Sequence, residues 1–184
     1  QTIVIATTRP ETLLGDSAVC VQPDVERYTQ LVRQKLILPL LGRKIPIIKD
    51  AYVDKDFGSG ALKVTPAHDF NDYELGKRHN LEFINILNRD GTMNENAGKY
   101  KGLSVQEARK QVVKDLEESQ ELVKVDPLQH SVAYCDRTGA VVEPYLSEQW
   151  FVRTKELAVP ARHMVENGTT EFEPEMWTKT YLHW

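Results

Sequence analysis

Short runs of β-branched and aromatic residues recur along the chain and predict strands. Polar and turn-forming residues separate these runs. The tetrapeptide Asn88-Arg89-Asp90-Gly91 follows one of them and predicts a hairpin turn, because Asp-Gly accommodates the positive φ that such turns need. The predicted strands cover residues 2–6, 17–22, 45–48, 61–65, 83–88, 121–125, 131–135, 140–145 and 149–153.

Helical periodicity is clearest over residues 104–119. Ser104 precedes Glu107 by three positions, which is the spacing of a capping box, and apolar residues then recur on one face. The pattern also predicts helices over 69–79, 24–34 and 154–167. The last should be interrupted near its proline, which lacks the N–H donor of a helix.

Many short strands with a few helices around them predict an α+β, mainly β fold, namely a mixed, partly closed β-barrel with peripheral helices. We expect two parts: the barrel with its helices over 1–125, and a β-rich stem over 126–184 that leads out of the domain. The chain starts in strand-like sequence without a methionine and stops in an amphipathic aromatic stretch. We therefore expect a piece of a longer protein.

Composition narrows the classes of protein. Hydrophobic content of 41% with 27% charged residues is ordinary for a globular domain, and no apolar run approaches the roughly 18 residues of a membrane span. The two cysteines, Cys20 and Cys135, indicate a reducing cytoplasm rather than a disulfide scaffold. A net charge of −4 argues against broad non-specific nucleic-acid binding, so any RNA contact should be local or shared with a partner domain. We expect no membrane partner.

Polar side chains collect where a predicted strand runs through Pro66 into a predicted helix. Lys63 and Thr65 share one face of the strand by alternation. Asp69 and Asp72 take the N-cap and N3 positions of the helix, where either carboxylate could simply stabilise the helix start. Asp72 can also point over the strand end towards Lys63 and Thr65. The ammonium, hydroxyl and carboxylates together suit a small zwitterion.

A second polar segment is Thr7-Thr8-Arg9-Pro10-Glu11-Thr12. Its hydroxyls and guanidinium suit a phosphate or a carboxylate. A proline at the first helical position followed by glutamate fits a plain helix start equally well. Both interpretations remain open from these residues alone.

A third segment is Asp56-Phe57-Gly58-Ser59-Gly60. Its glycines allow close backbone approach, and Phe57 beside them could stack on a base. It is not a dinucleotide-binding fingerprint, because it enters a strand instead of leaving one.

Several common kinds of site are missing from the sequence. It contains no G-x-S-x-G elbow, no phosphate-binding Walker loop and no Cys/His pattern with zinc spacing. We expect neither a cofactor nor a metal. A metal-dependent hydrolase that uses His68 with Asp69 and Asp72 stays as an alternative.

Residues 6–16 and 61–74 closely resemble the editing (connective-peptide) domain of valyl-tRNA synthetase, a class I enzyme. The resemblance covers nearly the whole chain. It extends to residues 53–60, 76–79, 84–87, 102–103, 107–110, 141–144 and 149–152. Pro10 in the first motif resembles the bacterial form, whereas the isoleucyl and leucyl relatives share the threonine-rich motif and typically differ after it.

The resemblance implies hydrolysis of threonine wrongly attached to valine tRNA, with threonyl-adenylate as a further substrate. A hydrophobic synthetic site rejects the near-isosteric threonine by only about 10², a limit for which valyl-tRNA synthetase is itself the usual example. A second site that hydrogen-bonds the hydroxyl rejects valine more strongly, because valine would leave buried polar groups unpaired. The implied partners are the 3′ end of tRNA(Val) and the rest of the synthetase chain.

The resemblance also implies roles for individual residues. Asp72 would bind the α-ammonium, while Lys63, Thr65 and Asp69 would serve the hydroxyl and the rest of the amino-acid pocket. The residues implied at the ester, the terminal ribose and the adenine are Thr7, Thr8, Arg9, Thr12 and Phe57. The implied catalytic group comprises Thr8, Arg9, Lys63 and Asp72.

Other functions stay open at this point. The chain could be a non-catalytic insert that docks tRNA or protein, or the editing domain of an isoleucyl- or leucyl-tRNA synthetase. It carries neither signature of the class I catalytic domain, so we expect that it cannot aminoacylate.

Overall fold

The computed structural model describes residues 2–55 and 58–183. The strands are β1 (Ala18–Val21), β2 (Lys35–Ile37), β3 (Lys44–Lys49) and β4 (Ala61–Val64). The α-helices are α1 (Glu26–Thr29), α2 (Phe70–Arg78), α3 (Val105–Glu118), α4 (Thr154–Glu166) and α5 (Met176–His183). Two 3-10 helices cover Pro10–Gly15 and Glu95–Tyr100.

The strands form one mixed sheet in the order β2-β3-β1-β4. The central strand β1 pairs in parallel with β3 and antiparallel with β4, so that Val19 lies opposite both Ile47 and Lys63. Since β1 is covered on both edges and both faces, all four of its residues are buried.

Alternation along β1 divides its side chains between two apolar clusters. Val19 and Val21 pack in the same cluster as Tyr28 of α1. Ala18 and Cys20 pack in another cluster, which contains Leu75 of α2. A third cluster joins the apolar face of α3 to Leu14, Met93 and Tyr100, among other buried residues.

Several predicted elements are confirmed. The strands predicted at 17–22, 45–48 and 61–65 correspond to β1, β3 and β4, and the helices predicted at 69–79 and 104–119 correspond to α2 and α3. Ser104 and Glu107 form the predicted capping box. The turn after Asn88 lies inside a bridge between Leu87 and Met93, with Gly91 at φ 82°.

Other strand predictions are wrong. Within the described residues, 2–6, 83–88, 121–125, 131–135, 140–145 and 149–153 form no strand, and their pairing is limited to isolated bridges such as Tyr134–Val141. Many apolar side chains between 121 and 152 are exposed, including Val125 and Trp150. A β-branched run becomes a strand only when a neighbour accepts its backbone hydrogen bonds, and these runs have none beyond such bridges.

Two helix predictions were partly wrong, and one strand was missed. Within 24–34, only the four residues of α1 are α-helical. Helix α4 continues through Pro160, where an interruption was expected. The missed strand is β2, which directly follows the helix predicted at 24–34.

The α+β character is confirmed, but the partly closed barrel is not. Among the described residues, β2 and β4 are the outer strands of an open sheet and do not pair with each other. Strands of three to six residues leave little length for the tilt and stagger that closure needs.

Residues 1–146 and 147–184 form two compact units. The first contains the sheet with α1, α2 and α3. The second contains α4 and α5, and the rings of Phe172 and Tyr181 pack within it with centroids 5.0 Å apart. Across the described residues, no helix combines the length and apolar character that a membrane span requires.

Candidate functional site

A buried ionic cluster lies beside the sheet at the end of β4. The Lys63 ammonium lies 3.2 Å from Oδ1 of Asp16 and donates to the hydroxyl of Thr65 at 2.5 Å. The Thr65 hydroxyl in turn donates to the same oxygen of Asp16 at 2.5 Å. Asp16 is 0% exposed, Thr65 1% and Lys63 7%. The alternation that predicted Lys63 and Thr65 on one face is confirmed by this contact.

Two glycines allow these elements to approach closely. A Cβ at Gly15 would lie 3.0 Å from the Ile84 carbonyl oxygen and 3.1 Å from the Thr65 side chain, so the absence of a side chain eases the close approach of the first 3-10 helix, and with it Asp16, to β4. A Cβ at Gly76 would lie 2.8 Å from the Pro66 ring, so α2 packs directly on the strand end.

Asp72 reaches the cluster from α2. Its Oδ2 accepts the backbone N–H of Thr65 at 2.8 Å, and the residue is 7% exposed. Burial raises the pKa of Asp72 to about 6, and the Thr65 N–H and the charge of Lys63 only partly oppose this increase. Among the described residues Oδ1 has no hydrogen-bond partner, which leaves one carboxylate oxygen for a ligand.

The fully buried position of Asp16 makes ionisation of its carboxyl group unfavourable, because the charge is removed from water. Burial raises the pKa of the Asp16 carboxyl, while the charge of Lys63 and the bond from Thr65 favour the ionised form. Its second oxygen, Oδ2, is buried without a hydrogen-bond partner among residues 2–55 and 58–183. Such an orphaned buried oxygen costs about 1–3 kcal/mol.

Asp69 and Tyr52 are close enough to Asp72 to interact with it electrostatically. The exposed Asp69 is the N-cap of α2, where its carboxylate accepts the backbone N–H groups of Asn71 and Asp72. Burial raises the pKa of the Tyr52 phenol, and the negative charges of Asp69 and Asp72 add to the effect. Tyr52 is 49% exposed, so an aromatic side chain faces solvent near both carboxylates.

A second ionic cluster surrounds Arg9. Arg9 contacts Glu11 at 3.2 Å and also forms an ion pair with Glu143. Glu11 is 1% exposed and receives two further bonds from Arg109 of α3, both 2.8 Å long. Burial raises the pKa of Glu143, an effect that the charge of Arg9 opposes. This cluster ties the first motif to α3 and to the segment around 143.

His68 is a packed residue of the core and has no free ring nitrogen. Its Nε2 accepts the backbone N–H of Ile86 at 2.9 Å, so Nδ1 carries the proton and donates to the Pro144 carbonyl at 3.0 Å. Burial lowers the pKa of His68 and favours this neutral form. No group of three His, Cys, Asp or Glu side chains within the described ranges is placed to hold a metal ion.

The remaining predicted site residues lie in the first motif and the glycine-rich segment. Thr7 and Thr8 are exposed, and the Thr7 hydroxyl accepts the Arg9 N–H. Thr12 is buried and donates to the Arg9 carbonyl at 2.9 Å, which gives it a local structural bond. Phe57 lies outside the described residues.

Sequence reasoning thus placed Lys63, Thr65 and Asp72 together correctly but missed Asp16. Asp16 stands within the motif that carried the resemblance, yet it is 47 residues from Lys63. A signal was present, because a lysine inside an apolar strand needs an acidic partner, but the sequence does not show which acid supplies it. Glu11, Arg109, Glu143 and Tyr52 were missed for the same reason.

The chain matches a family model described as "Leucyl-tRNA synthetase, editing domain" over residues 24–117. Valine–tRNA ligase of Bdellovibrio bacteriovorus is 64% identical over 99% of this chain, and that of Thermotoga maritima is 58% identical over 99%. The chain spans about a fifth of the length of these relatives, 20% and 21% respectively.

A solved structure supports the fold independently of sequence identity. The structure described as the crystal structure of GlLeuRS-CP1 matches with a TM-score of 0.52 and 14% identity, over 66% of this chain and 83% of that one. The chain therefore belongs to the editing-domain family of the aminoacyl-tRNA synthetases, and almost its whole length is similar to the corresponding segment of bacterial valine–tRNA ligases.

Proposed function

We propose that this chain hydrolyses the ester of threonine wrongly attached to tRNA(Val), and threonyl-adenylate as a second substrate. The observation that carries the proposal is the placement of a buried ammonium, Lys63, and a buried carboxylate, Asp72, at one strand-to-helix junction, where both contact Thr65. A zwitterionic amino-acid ester with a side-chain hydroxyl has groups that match both.

Asp72 is the site for the α-ammonium of the substrate. Its buried carboxylate has a pKa of about 6 before a ligand arrives, and a cation at Oδ1 would stabilise the ionised form. Binding of the substrate ammonium therefore offsets the desolvation cost of the Asp72 carboxylate, which the free protein already carries. Once paired in this way Asp72 is a poor general base, and its role is to orient the ester.

Lys63 recognises the substrate hydroxyl by donating a hydrogen bond to it, because Lys63 is the charged donor of the buried cluster. Valine offers no group to pair with it, so a valyl ester would leave a desolvated ammonium hydrogen unsatisfied. Asp69 keeps α2 and Asp72 in place from the N-cap, where it also lends negative charge to the amino-acid pocket.

The first motif suits the nucleotide side of the substrate. Thr7 and Thr8 present exposed hydroxyls, and Arg9 carries a half-buried guanidinium that suits the terminal phosphate. Thr12 supports the Arg9 backbone. Phe57 remains a prediction for contact with the adenine.

The chemistry needs a positioned water and stabilisation of the ester oxyanion, without a covalent intermediate. Backbone N–H groups would stabilise the oxyanion, because the Lys63 ammonium is engaged with the substrate hydroxyl. The substrate's own vicinal ribose hydroxyl can assist the attack. The partners are the 3′ end of tRNA(Val) and the rest of a synthetase chain, in the cytoplasm.

The test is deacylation of Thr-tRNA(Val) and Val-tRNA(Val). The chain is assayed by itself and also within the Thermotoga maritima valine–tRNA ligase, where it replaces the matching segment. We expect faster hydrolysis of the threonyl ester, and Asp72→Asn should reduce its kcat/KM by about 10² or more. Asp115→Asn is the matched control, because Asp115 is a buried helical carboxylate outside the site.

Two outcomes would contradict the proposal. An inactive chain within an otherwise active chimera would favour a docking insert that does not catalyse. Equal hydrolysis of both esters would remove the threonine assignment.

A further inference from the structure

We propose that Asp16 is a positioning residue that fixes the Lys63 ammonium as a single directed hydrogen-bond donor, and so sets the selectivity for a hydroxylated amino acid. The inference rests on the proposed function and deepens it.

A lysine ammonium has three N–H donors. Asp16 Oδ1 lies 3.2 Å from Lys63 Nζ and takes one of them, and the Thr65 hydroxyl takes another at 2.5 Å. No other partner of this ammonium is present among residues 2–55 and 58–183. One N–H remains, and its direction is fixed because the other two are held.

Thr65 cannot replace Lys63 as the donor. A hydroxyl has one proton, and the proton of Thr65 is directed to Asp16 at 2.5 Å. Thr65 is also 1% exposed, while the Lys63 side chain is 9% exposed. Lys63 is therefore the member of the cluster that meets the substrate, and Thr65 acts with Asp16 to hold it.

Asp16 itself does not touch the substrate, because it is 0% exposed. Its Oδ1 accepts from both Lys63 and Thr65, so one oxygen orders the whole cluster. Its Oδ2 is buried without a hydrogen-bond partner, which destabilises the fold. An ion pair with only a structural role would not need to retain such an unpaired oxygen. A rigid donor rejects valine better than a mobile one, because a mobile ammonium could turn to another acceptor when the hydroxyl is absent.

The experiment is a double-mutant cycle in the Thermotoga chimera with Asp16→Asn, Lys63→Met and both changes together. The measured quantity is the ratio of kcat/KM for Thr-tRNA(Val) over Val-tRNA(Val). We expect each single change to lower the ratio by about 10-fold or more. The double variant should lose no more than Lys63→Met alone, because Asp16 acts through Lys63.

Asp115→Asn serves as the control. Asp115 also accepts from a lysine ammonium and a hydroxyl, those of Lys99 and Tyr100, both at 2.6 Å. The Thr/Val ratio should be unchanged in this variant. A general effect of losing a paired carboxylate would lower the ratio here too and would overturn the proposal.

A measurement on the unaltered chain decides the case even if Asp16→Asn does not fold. The proposal requires an ionised Asp16 carboxylate and slow exchange of the Lys63 ammonium protons at neutral pH, both observable by heteronuclear NMR. A protonated Asp16, or Lys63 protons that exchange like those of the exposed Lys114, would overturn it.

The outcomes separate this inference from the proposed function. A folded Asp16→Asn variant that keeps the full Thr/Val ratio overturns the role of Asp16 and leaves the editing function standing. Additive losses in the double variant also overturn it, because Asp16 would then act independently of Lys63. Absence of threonyl selectivity in the unaltered chimera overturns both.

Discussion

The two ionic clusters differ in burial although both begin in the first motif. Asp16, Lys63 and Thr65 are each no more than 7% exposed. In the cluster around Arg9, only Glu11 is buried to this degree, and the side chains of Arg9 and Arg109 are 28% and 41% exposed. Both clusters join segments that are far apart in sequence.

The difference explains why the two clusters suit different tasks. A partly exposed guanidinium exchanges partners more easily than a buried charge, because water can replace a bond that it loses, and this suits binding and release of a phosphate. A buried ammonium keeps its partner, since leaving either charge alone in the interior is costly. Selectivity for a small hydroxyl is better supported by the buried cluster.

The largest expected effect is a difference in how much stability the protein loses when one cation is removed from each cluster. Lys63→Ala leaves Asp16 buried without a counter-charge and should lower the free energy of unfolding by about 3–5 kcal/mol. Arg109→Ala should cost about 1 kcal/mol, because Arg9 still pairs with Glu11. Urea unfolding of both variants measures the difference. Similar losses would show that burial does not distinguish the two clusters.

The next effect concerns pH and Asp72. Its folded pKa of about 6 lies above the ordinary 3.8, so the folded state binds this proton more tightly than the unfolded state. The contribution of Asp72 to stability therefore falls as pH rises from about 4 through 6, by at most roughly 3 kcal/mol. Asparagine can still accept the Thr65 N–H but does not ionise.

Urea unfolding at pH 4, 5, 6 and 7 tests this expectation. Relative to Asp72→Asn, the unaltered chain should lose stability across that range. Parallel pH profiles for the two proteins would mean that Asp72 is solvated or has another partner in solution.

The smallest expected effect concerns the less buried cluster, the one around Arg9. Glu143→Gln removes the charge that faces Arg9 and should cost less than about 1 kcal/mol at low salt. At 1 M salt the cost should nearly vanish, because the Debye length falls to about 3 Å. The cost of Lys63→Ala should hardly change with salt. A Glu143 effect that is large and independent of salt would place this cluster in the interior as well.

Local sequence signals predicted several of the local structures that position the site residues. The N-cap Asp69, the capping box at Ser104 and the alternation of Lys63 with Thr65 are confirmed. These features depend on neighbours within a few residues, so the sequence contains everything that they need. The roles of these residues towards a substrate stay predictions.

Pairing over long distances was harder to predict. The β-branched runs at 121–125 and 149–153 look like strands, but strand formation depends on a partner edge, which they do not find among the described residues. Asp16 presents the same difficulty at the site. Its motif was recognised, but its partner Lys63 is 47 residues away and a single sequence does not reveal that distance in space.

By itself, the sequence determined the family resemblance, the caps and the polar strand-to-helix junction, because short-range hydrogen bonding and alternation act over a few residues. The tertiary structure decided which charges are buried. It packed Gly15 against Thr65 and so brought Asp16 to Lys63, and it left Arg9 and Glu143 only partly buried. Burial depends on all surrounding elements at once, and it encloses Lys63 with its partners while it leaves the Arg109 guanidinium partly exposed to water.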